Sequence, residues 1–250
     1  MASRFGVELT DAGRIRAGVG KGKGEYESGK CGMKHSEFYK RAIVHLDALV
    51  MFMGLRDERF FRELQDNWVD LVGPGEQLAF PTLQGGYEQL ILGSALLLGV
   101  TYVEAYLGDV LREVFRRKPQ ILATREKTIP WEKLVRARSY KRVLGIIIDA
   151  ELSEFTRLAI DRMVGYFERR FKLEAPDQES MNMVTEASLV RNVIAHNGAV
   201  VGAELARHNV RFREGGQLRL EVSQIHEYGL AGRSVLQRLD EQLMNKYLSD

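Results

Sequence analysis

Residues 187–198 read Ala-Ser-Leu-Val-Arg-Asn-Val-Ile-Ala-His-Asn-Gly. Apolar residues recur in this stretch at helical spacing, which predicts the last turns of a helix. Gly198 follows at a position where helices commonly end. Arg191, Asn192 and His196 interrupt the apolar face, and Asn192 and His196, four residues apart, share one side of the helix. The pattern leaves two interpretations open, a polar helix end and a functional site.

These three residue types would suit the cleavage of RNA without a metal ion. A histidine can exchange a proton with a ribose 2′-OH or with the leaving 5′ oxygen near neutral pH. Arg191 offers a planar fork to phosphate oxygens, and Asn192 could orient the His196 imidazole one turn away. Because one imidazole cannot act as both base and acid in a single step, this chemistry favours a dimer in which two copies of the stretch face each other.

Length and composition indicate a globular protein. The 250 residues are 45% hydrophobic and 28% charged, enough to bury a sizeable core. The single cysteine, Cys31, excludes an intrachain disulfide and fits a reducing compartment. We find no stretch of about 18 apolar residues and no signal-peptide core, so we expect a cytoplasmic protein without a membrane partner. The net charge of +2 is too small to indicate nucleic-acid binding by itself.

Apolar periodicity predicts that helices make up most of the chain. The predicted segments are 36–52, 57–71, 87–117, 119–127, 130–148, 151–171, 178–197 and 223–247. The segment 87–117 is apolar almost all round in its first half and is therefore predicted to be buried. Glu104 lies on an apolar face of that helix, where a carboxylate needs a partner. Residues 210–212 and 218–222 alternate around Glu214-Gly215-Gly216, which predicts a small hairpin.

Residues 1–35 differ from the rest of the chain. They contain eight glycines and few large apolar residues, which predicts a flexible arm that orders only against a partner, followed by one domain over 36–250. Within the arm, residues 24–31 nearly match a phosphate-binding loop. Cys31 stands where the pattern needs a serine or threonine for magnesium, and no strand precedes the loop, so nucleotide binding is a weaker alternative.

Other chemistries have less support in the sequence. Histidine and cysteine spacings match no zinc motif, and neither a nucleophile elbow nor a dinucleotide-binding glycine pattern follows a strand. Glu104, Asp109 and Asp149 are scattered along the chain and predict no magnesium site. We therefore expect no metal and no cofactor.

The segment Arg191-Asn192-Val-Ile-Ala-His196-Asn197 resembles the R-N-x-x-x-H motif of the HEPN superfamily of helical ribonucleases. The larger bacterial families, of the RiboL-PSP and MAE-like types, are the most similar, since an apolar helix carrying Tyr102-Val-Glu-Ala-Tyr-Leu-Gly-Asp109 precedes the motif and residues 209–250 follow it. The resemblance covers about residues 37–250. Gly198 stands where the small toxin branch of the superfamily has a tyrosine, so regulation through that tyrosine is not implied.

The resemblance implies an all-α fold, a HEPN-like helical bundle with a small β-hairpin before the C-terminal helix. Arg191 and His196 would form the catalytic pair, with Asn192 beside them. Glu104 would either pair with Arg191 at the active site or serve only as a structural acid.

The implied activity is that of a metal-independent endoribonuclease that leaves a 2′,3′-cyclic phosphate. It would act on RNA as a homodimer with a composite active site, in a toxin–antitoxin or antiphage-defence setting. An antitoxin or a sensor protein would restrain it. The alternative is a non-catalytic HEPN-like module that dimerises or binds a partner protein.

A basic stretch also bears on an RNA partner. From Arg112 to Arg142 the chain has eleven lysines and arginines and three acids, a local charge of +8. This indicates either a phosphate track or a solvated face. We assign RNA binding to a group of polar residues in and beyond this stretch: Arg136, Arg138, Lys141, Arg142 and Asn197. Trp131 and Tyr140 lie among the cations and could stack on bases, although core positions are the simpler expectation.

Overall fold

The computed structural model describes residues 35–54, 80–123, 128 and 130–249. The phosphate-loop-like segment, the predicted helix 57–71 and, apart from His35, the predicted arm lie outside these residues. The described chain is predominantly helical, which confirms the all-α prediction. Its helices are α1 (Glu37–Gly54), α2 (Phe80–Arg117), α3 (Trp131–Ala137), α4 (Tyr140–Phe155), α5 (Ile160–Phe171), α6 (Gln178–Asn197), α7 (Ala203–His208) and α8 (Val222–Leu243). A 3₁₀ turn at Pro119–Leu122 and a π-helical turn at Met244–Leu248 complete them.

Helix α2 runs through both parts of the core. With 38 residues it is about 57 Å long, so its two halves contact different partners. The C-terminal half packs with α4, α5 and α8, and fully buried members of this cluster include Leu107, Leu111 and Phe167. The N-terminal half, from Leu92 to Val100, packs against α6 and the chain that follows it.

The apolar segment Gly86–Arg117 of α2 is long and apolar enough to cross a membrane by length and composition, contrary to the expectation from run length. Its mean hydropathy reaches 1.7, and 44% of that window is buried within the structure. Core helices of soluble proteins meet the same criterion.

Two predicted helices of the central region have different boundaries in the structure. The predicted helix 130–148 is divided, because Arg138 adopts a left-handed conformation with φ 53° and ends α3. Ser139 then caps α4 by accepting a hydrogen bond from the Arg142 backbone N at 3.3 Å. Helix α4 continues through the predicted break near residue 150 to Phe155, which is buried and extends the apolar face of the helix.

The predicted hairpin at 210–222 is not present. Gly215 and Gly216 pair instead with Val201, whose N and O form backbone hydrogen bonds of 2.9 Å with Gly216 O and Gly215 N. A single antiparallel bridge, between Val200 and Gln217, is the only β-pairing in the described part of the chain. Val210, in the predicted first strand 210–212, is 97% exposed, so its side chain contributes nothing to a buried face.

A buried carboxylate joins the start of α1 to the core. Asp240 of α8 is fully buried and accepts hydrogen bonds from the Ser36 backbone N at 2.9 Å, from the Ser36 hydroxyl and from Tyr106 Oη at 3.0 Å. His35 Nδ1 lies 3.3 Å from the same carboxylate. Ser36 Oγ also accepts from Tyr39 N at 3.0 Å, which caps the helix. One acid therefore connects α1, α2 and α8.

Candidate functional site

Helix α6 carries the Arg-Asn-His motif and has well-defined ends. Asp177 caps its first turn, accepting from Ser180 N at 2.7 Å. At the other end Gly198 is left-handed with φ 57°, and Ala199 N donates to Val193 O at 3.2 Å. The observed bounds, 178–197, are those predicted from the sequence.

The buried face of α6 determines where the motif points. Ala187, Val190 and Val193 are buried against the N-terminal half of α2. Since successive residues turn by about 100° around a helix, Arg191 is only partly buried, and Asn192 and His196 are exposed. Packing therefore turns the three polar residues towards the edge of the α2–α6 contact.

Arg191 forms an ion pair with Glu104 of α2, between Nη2 and Oε1. The arginine side chain is 23% exposed and the glutamate side chain 30% exposed. Arg191 Nε is buried and has no hydrogen-bond partner among the described residues. Glu104, the carboxylate on an apolar face of α2, thus has the partner that it requires. The Arg191 guanidinium keeps N–H donors that this pair does not use.

Burial raises the pKa of the Glu104 carboxyl above its ordinary value, and the charge and hydrogen bond of Arg191 offset only part of that rise. Desolvation is thus the larger effect on this carboxyl. The ion pair holds Arg191 in place, while Glu104 takes up a proton more readily than an exposed glutamate.

A groove of about 670 Å³ opens beside this pair. Its lining includes the acid Glu104, the amide Asn192 and the imidazole of His208. Three arginines also line it, Arg157, Arg191 and Arg207. His208 Nε2 lies 3.2 Å from the carbonyl oxygen of Asn182. Because a carbonyl only accepts, that contact places a proton on Nε2 and leaves Nδ1 free in the neutral ring.

Three of these groove residues were missed by sequence reasoning. No motif or spacing in the sequence links Arg157, Arg207 or His208 to Arg191. Two further acids, Asp161 and Glu204, line the groove with Glu104, so carboxylates balance the three arginines. Any preference for phosphate therefore depends on directed N–H donors rather than on net charge.

His196 lies outside the groove lining, on the exposed face of α6 one turn beyond Asn192. In the described part of the chain no hydrogen bond joins its ring to Asn192, so the expected orienting contact is not formed here. Asn197 follows as the last, exposed residue of the helix.

The basic residues assigned to RNA binding lie elsewhere. Arg136 pairs with Glu132 at 2.6 Å on α3, while Arg138, Lys141 and Arg142 are exposed around the start of α4. The groove residue Arg157 follows the other end of α4, which has 16 residues and is about 24 Å long. The structure therefore does not bring Arg136, Arg138, Lys141 or Arg142 into the groove of the same chain.

The site combines an imidazole, a guanidinium and an amide at the end of one helix. Among the residues that the structure describes, no cluster of three or more His, Cys, Asp or Glu side chains could hold a metal ion. No protein-family model, curated protein or solved structure matches this chain. Function is therefore inferred from the chemistry of the site.

Proposed function

We propose that this chain is a HEPN-type endoribonuclease that cleaves RNA by attack of a ribose 2′-OH, without a metal ion. The observation that carries the proposal is the Arg191–Glu104 pair beside an open groove. The pair holds the motif arginine next to Asn192, where Nη1 has no partner among the described residues and can donate to a phosphate oxygen.

In the proposed reaction the 2′ oxygen attacks phosphorus and the bond from phosphorus to the 5′ oxygen breaks. A base takes the proton of the 2′-OH, and an acid protonates the leaving oxygen, giving a 2′,3′-cyclic phosphate. Arg191 stabilises the extra negative charge on the phosphate. Glu104 is a positioning residue that orients Arg191.

His196 supplies the proton transfer, and its position favours a composite site. It is exposed beyond the groove, where a second copy of the chain could bring its own imidazole to the same phosphate. One imidazole then acts as base and the other as acid. We propose a HEPN-like homodimer with RNA as its substrate, working in the cytoplasm as a toxin or antiphage effector under an antitoxin or sensor protein.

An assay of the purified protein for cleavage of tRNA, rRNA and mRNA tests this proposal. His196→Ala should reduce the rate by about 10²–10⁴-fold, the usual contribution of an acid–base group. Arg191→Ala should reduce it by about 10²–10³-fold, the usual cost of removing one donor to a developing negative charge. His226→Ala, at an exposed position on α8, is the matched control and should retain full activity. EDTA should have no effect, and the products should end in a 2′,3′-cyclic phosphate. Loss of cleavage in EDTA together with normal cleavage by His196→Ala would contradict the mechanism.

A second candidate function is a non-catalytic module that dimerises or binds a partner protein through the same face. The absence of a hydrogen bond between His196 and Asn192 in the described part of the chain favours this alternative. In that case the purified protein should form a stable dimer or complex and leave all three RNA classes intact at high protein concentration.

A further inference from the structure

Residues 131–142, apart from the groove, combine exposed aromatic rings with three cations that have no acidic partner in the described part of the chain. Trp131 and Val135 lie one turn apart on α3 and are 80% and 73% exposed, and Tyr140 at the start of α4 is 72% exposed. Leu134 and Ala137 face the protein instead. Side chains of this size are usually buried, so the core position expected for Trp131 and Tyr140 is wrong and their exposure needs another explanation.

Three positive charges lie close to these rings along the chain. Arg138, Lys141 and Arg142 are exposed, and none has an acidic partner among the described residues. They lie around the N-terminus of α4, where the helix dipole favours anions, and its first turn contains no acid. The three cations therefore interact unfavourably with the helix dipole. A bound anion would offset that repulsion.

We propose that Trp131, Tyr140, Arg138, Lys141 and Arg142 form a platform for single-stranded RNA. Unpaired bases stack on the two aromatic rings, and the cations together with the backbone N–H groups of Tyr140 and Lys141 bind the adjacent phosphates. A second copy of the chain fits this surface poorly, since a symmetric contact would bring the same three cations together.

The platform extends the proposed function and, in naming the substrate, rests on it. It lies at one end of α4, about 24 Å from the end that leads to the groove. An RNA that contacts both places must span several nucleotides, with unpaired bases at the platform. The inferred substrate class is therefore RNA with a single-stranded segment on one side of the cleavage position.

Binding can be measured without cleavage by using an oligonucleotide with 2′-O-methyl riboses, which lacks the attacking hydroxyl. The probe is a fluorescently labelled single strand long enough to span α4, with the duplex of the same sequence for comparison. The variants are Trp131→Ala, Tyr140→Ala and the double substitution Lys141→Gln with Arg142→Gln. Val210→Ala and Arg162→Gln, both at exposed positions outside residues 131–142, are the matched controls.

Each aromatic substitution should weaken single-strand binding by about 5- to 150-fold, with a smaller loss for the duplex, whose bases are already stacked. The double charge substitution should reduce the slope of log affinity against log salt by about 1.4. Both controls should bind as the wild type does, and circular dichroism should show every variant folded.

Unchanged affinity in both aromatic variants, or equal losses for single strand and duplex, would overturn the proposal. So would Trp131-dependent binding to vesicles of phosphatidylserine and phosphatidylcholine without RNA binding, or a change of oligomeric state in Trp131→Ala. Normal cleavage by His196→Ala with lost binding by Trp131→Ala would reject the ribonuclease mechanism and retain the platform. If His196→Ala were inactive and Trp131→Ala bound RNA normally, the platform would be rejected and the ribonuclease mechanism retained.

Discussion

Replacing Arg191 with alanine should make the stability of the protein more dependent on pH. In the wild-type pair, burial raises the pKa of Glu104 and Arg191 lowers it, with burial the larger effect. Without the guanidinium the pKa of Glu104 should rise further above its ordinary value of 4.5. A carboxyl with a higher pKa in the folded chain binds more protons there, so stability falls as pH rises from the unfolded-state pKa to the folded-state pKa.

The size of the effect follows from the exposure of the pair. Removing one partner of a fully buried ion pair lowers the free energy of unfolding by about 3–5 kcal/mol. Since the Glu104 side chain is 30% exposed, water screens part of the unpaired charge, and we expect a loss of about 2 kcal/mol at neutral pH. For a domain of this size that corresponds to a melting temperature about 4–8 °C lower.

Thermal melts from about pH 4 to about pH 8 should be compared for the wild type, Arg191→Ala, Glu104→Gln and the double variant. Below the ordinary glutamate pKa the difference in melting temperature between Arg191→Ala and the wild type should shrink, because the Glu104 carboxyl is protonated there and carries no unpaired charge. At neutral pH the double variant should be more stable than Arg191→Ala, since a neutral amide tolerates burial better than a carboxylate. An equal loss at both ends of the pH range, or a double variant no more stable than Arg191→Ala, would refute the reasoning.

Two further predictions concern the packing and the helix ends. Asp240→Ala leaves Ser36 and Tyr106 without their buried acceptor and should lower the free energy of unfolding in urea by about 3 kcal/mol, with a smaller loss for Asp240→Asn. Gly198→Ala places a β-carbon at φ 57° and should destabilise by about 1 kcal/mol, whereas Gly108→Ala, inside α2 with free space around it, should stabilise by about 0.5–1 kcal/mol. If the two glycine variants changed the free energy of unfolding in the same direction in one urea titration, the explanation from backbone conformation would be contradicted.

The local sequence predicts helices well where strong end signals and a continuous apolar face agree. Asp177 and Gly198 mark the ends of α6 at the predicted residues. The prediction was wrong near residue 150, where no local signal shows that the buried face of α4 continues to Phe155. It was also wrong for the hairpin, because alternation over a few residues does not specify which segment supplies the partner backbone.

The candidate site was only partly predictable for a related reason. The motif residues lie within one helix, so their spacing is visible in the sequence. Arg157 follows the end of α4 and His208 is the last residue of α7, so their proximity to Arg191 depends on how α4 and α7 pack. For Trp131 and Tyr140 the sequence predicted burial and the structure shows exposure. Residue type predicts burial for large aromatic side chains but cannot identify the ones that packing leaves exposed.

The sequence by itself determined the helical class, the bounds of α6 and the position of Arg191, Asn192 and His196 on it, because helix periodicity and capping depend on neighbouring residues. Only the tertiary structure decided that Arg191 pairs with Glu104, that the groove includes residues from three other segments, and that Arg138, Lys141 and Arg142 lie at the end of α4 away from the groove. These features depend on contacts between residues far apart in the chain, where side-chain packing rather than local spacing selects the neighbours.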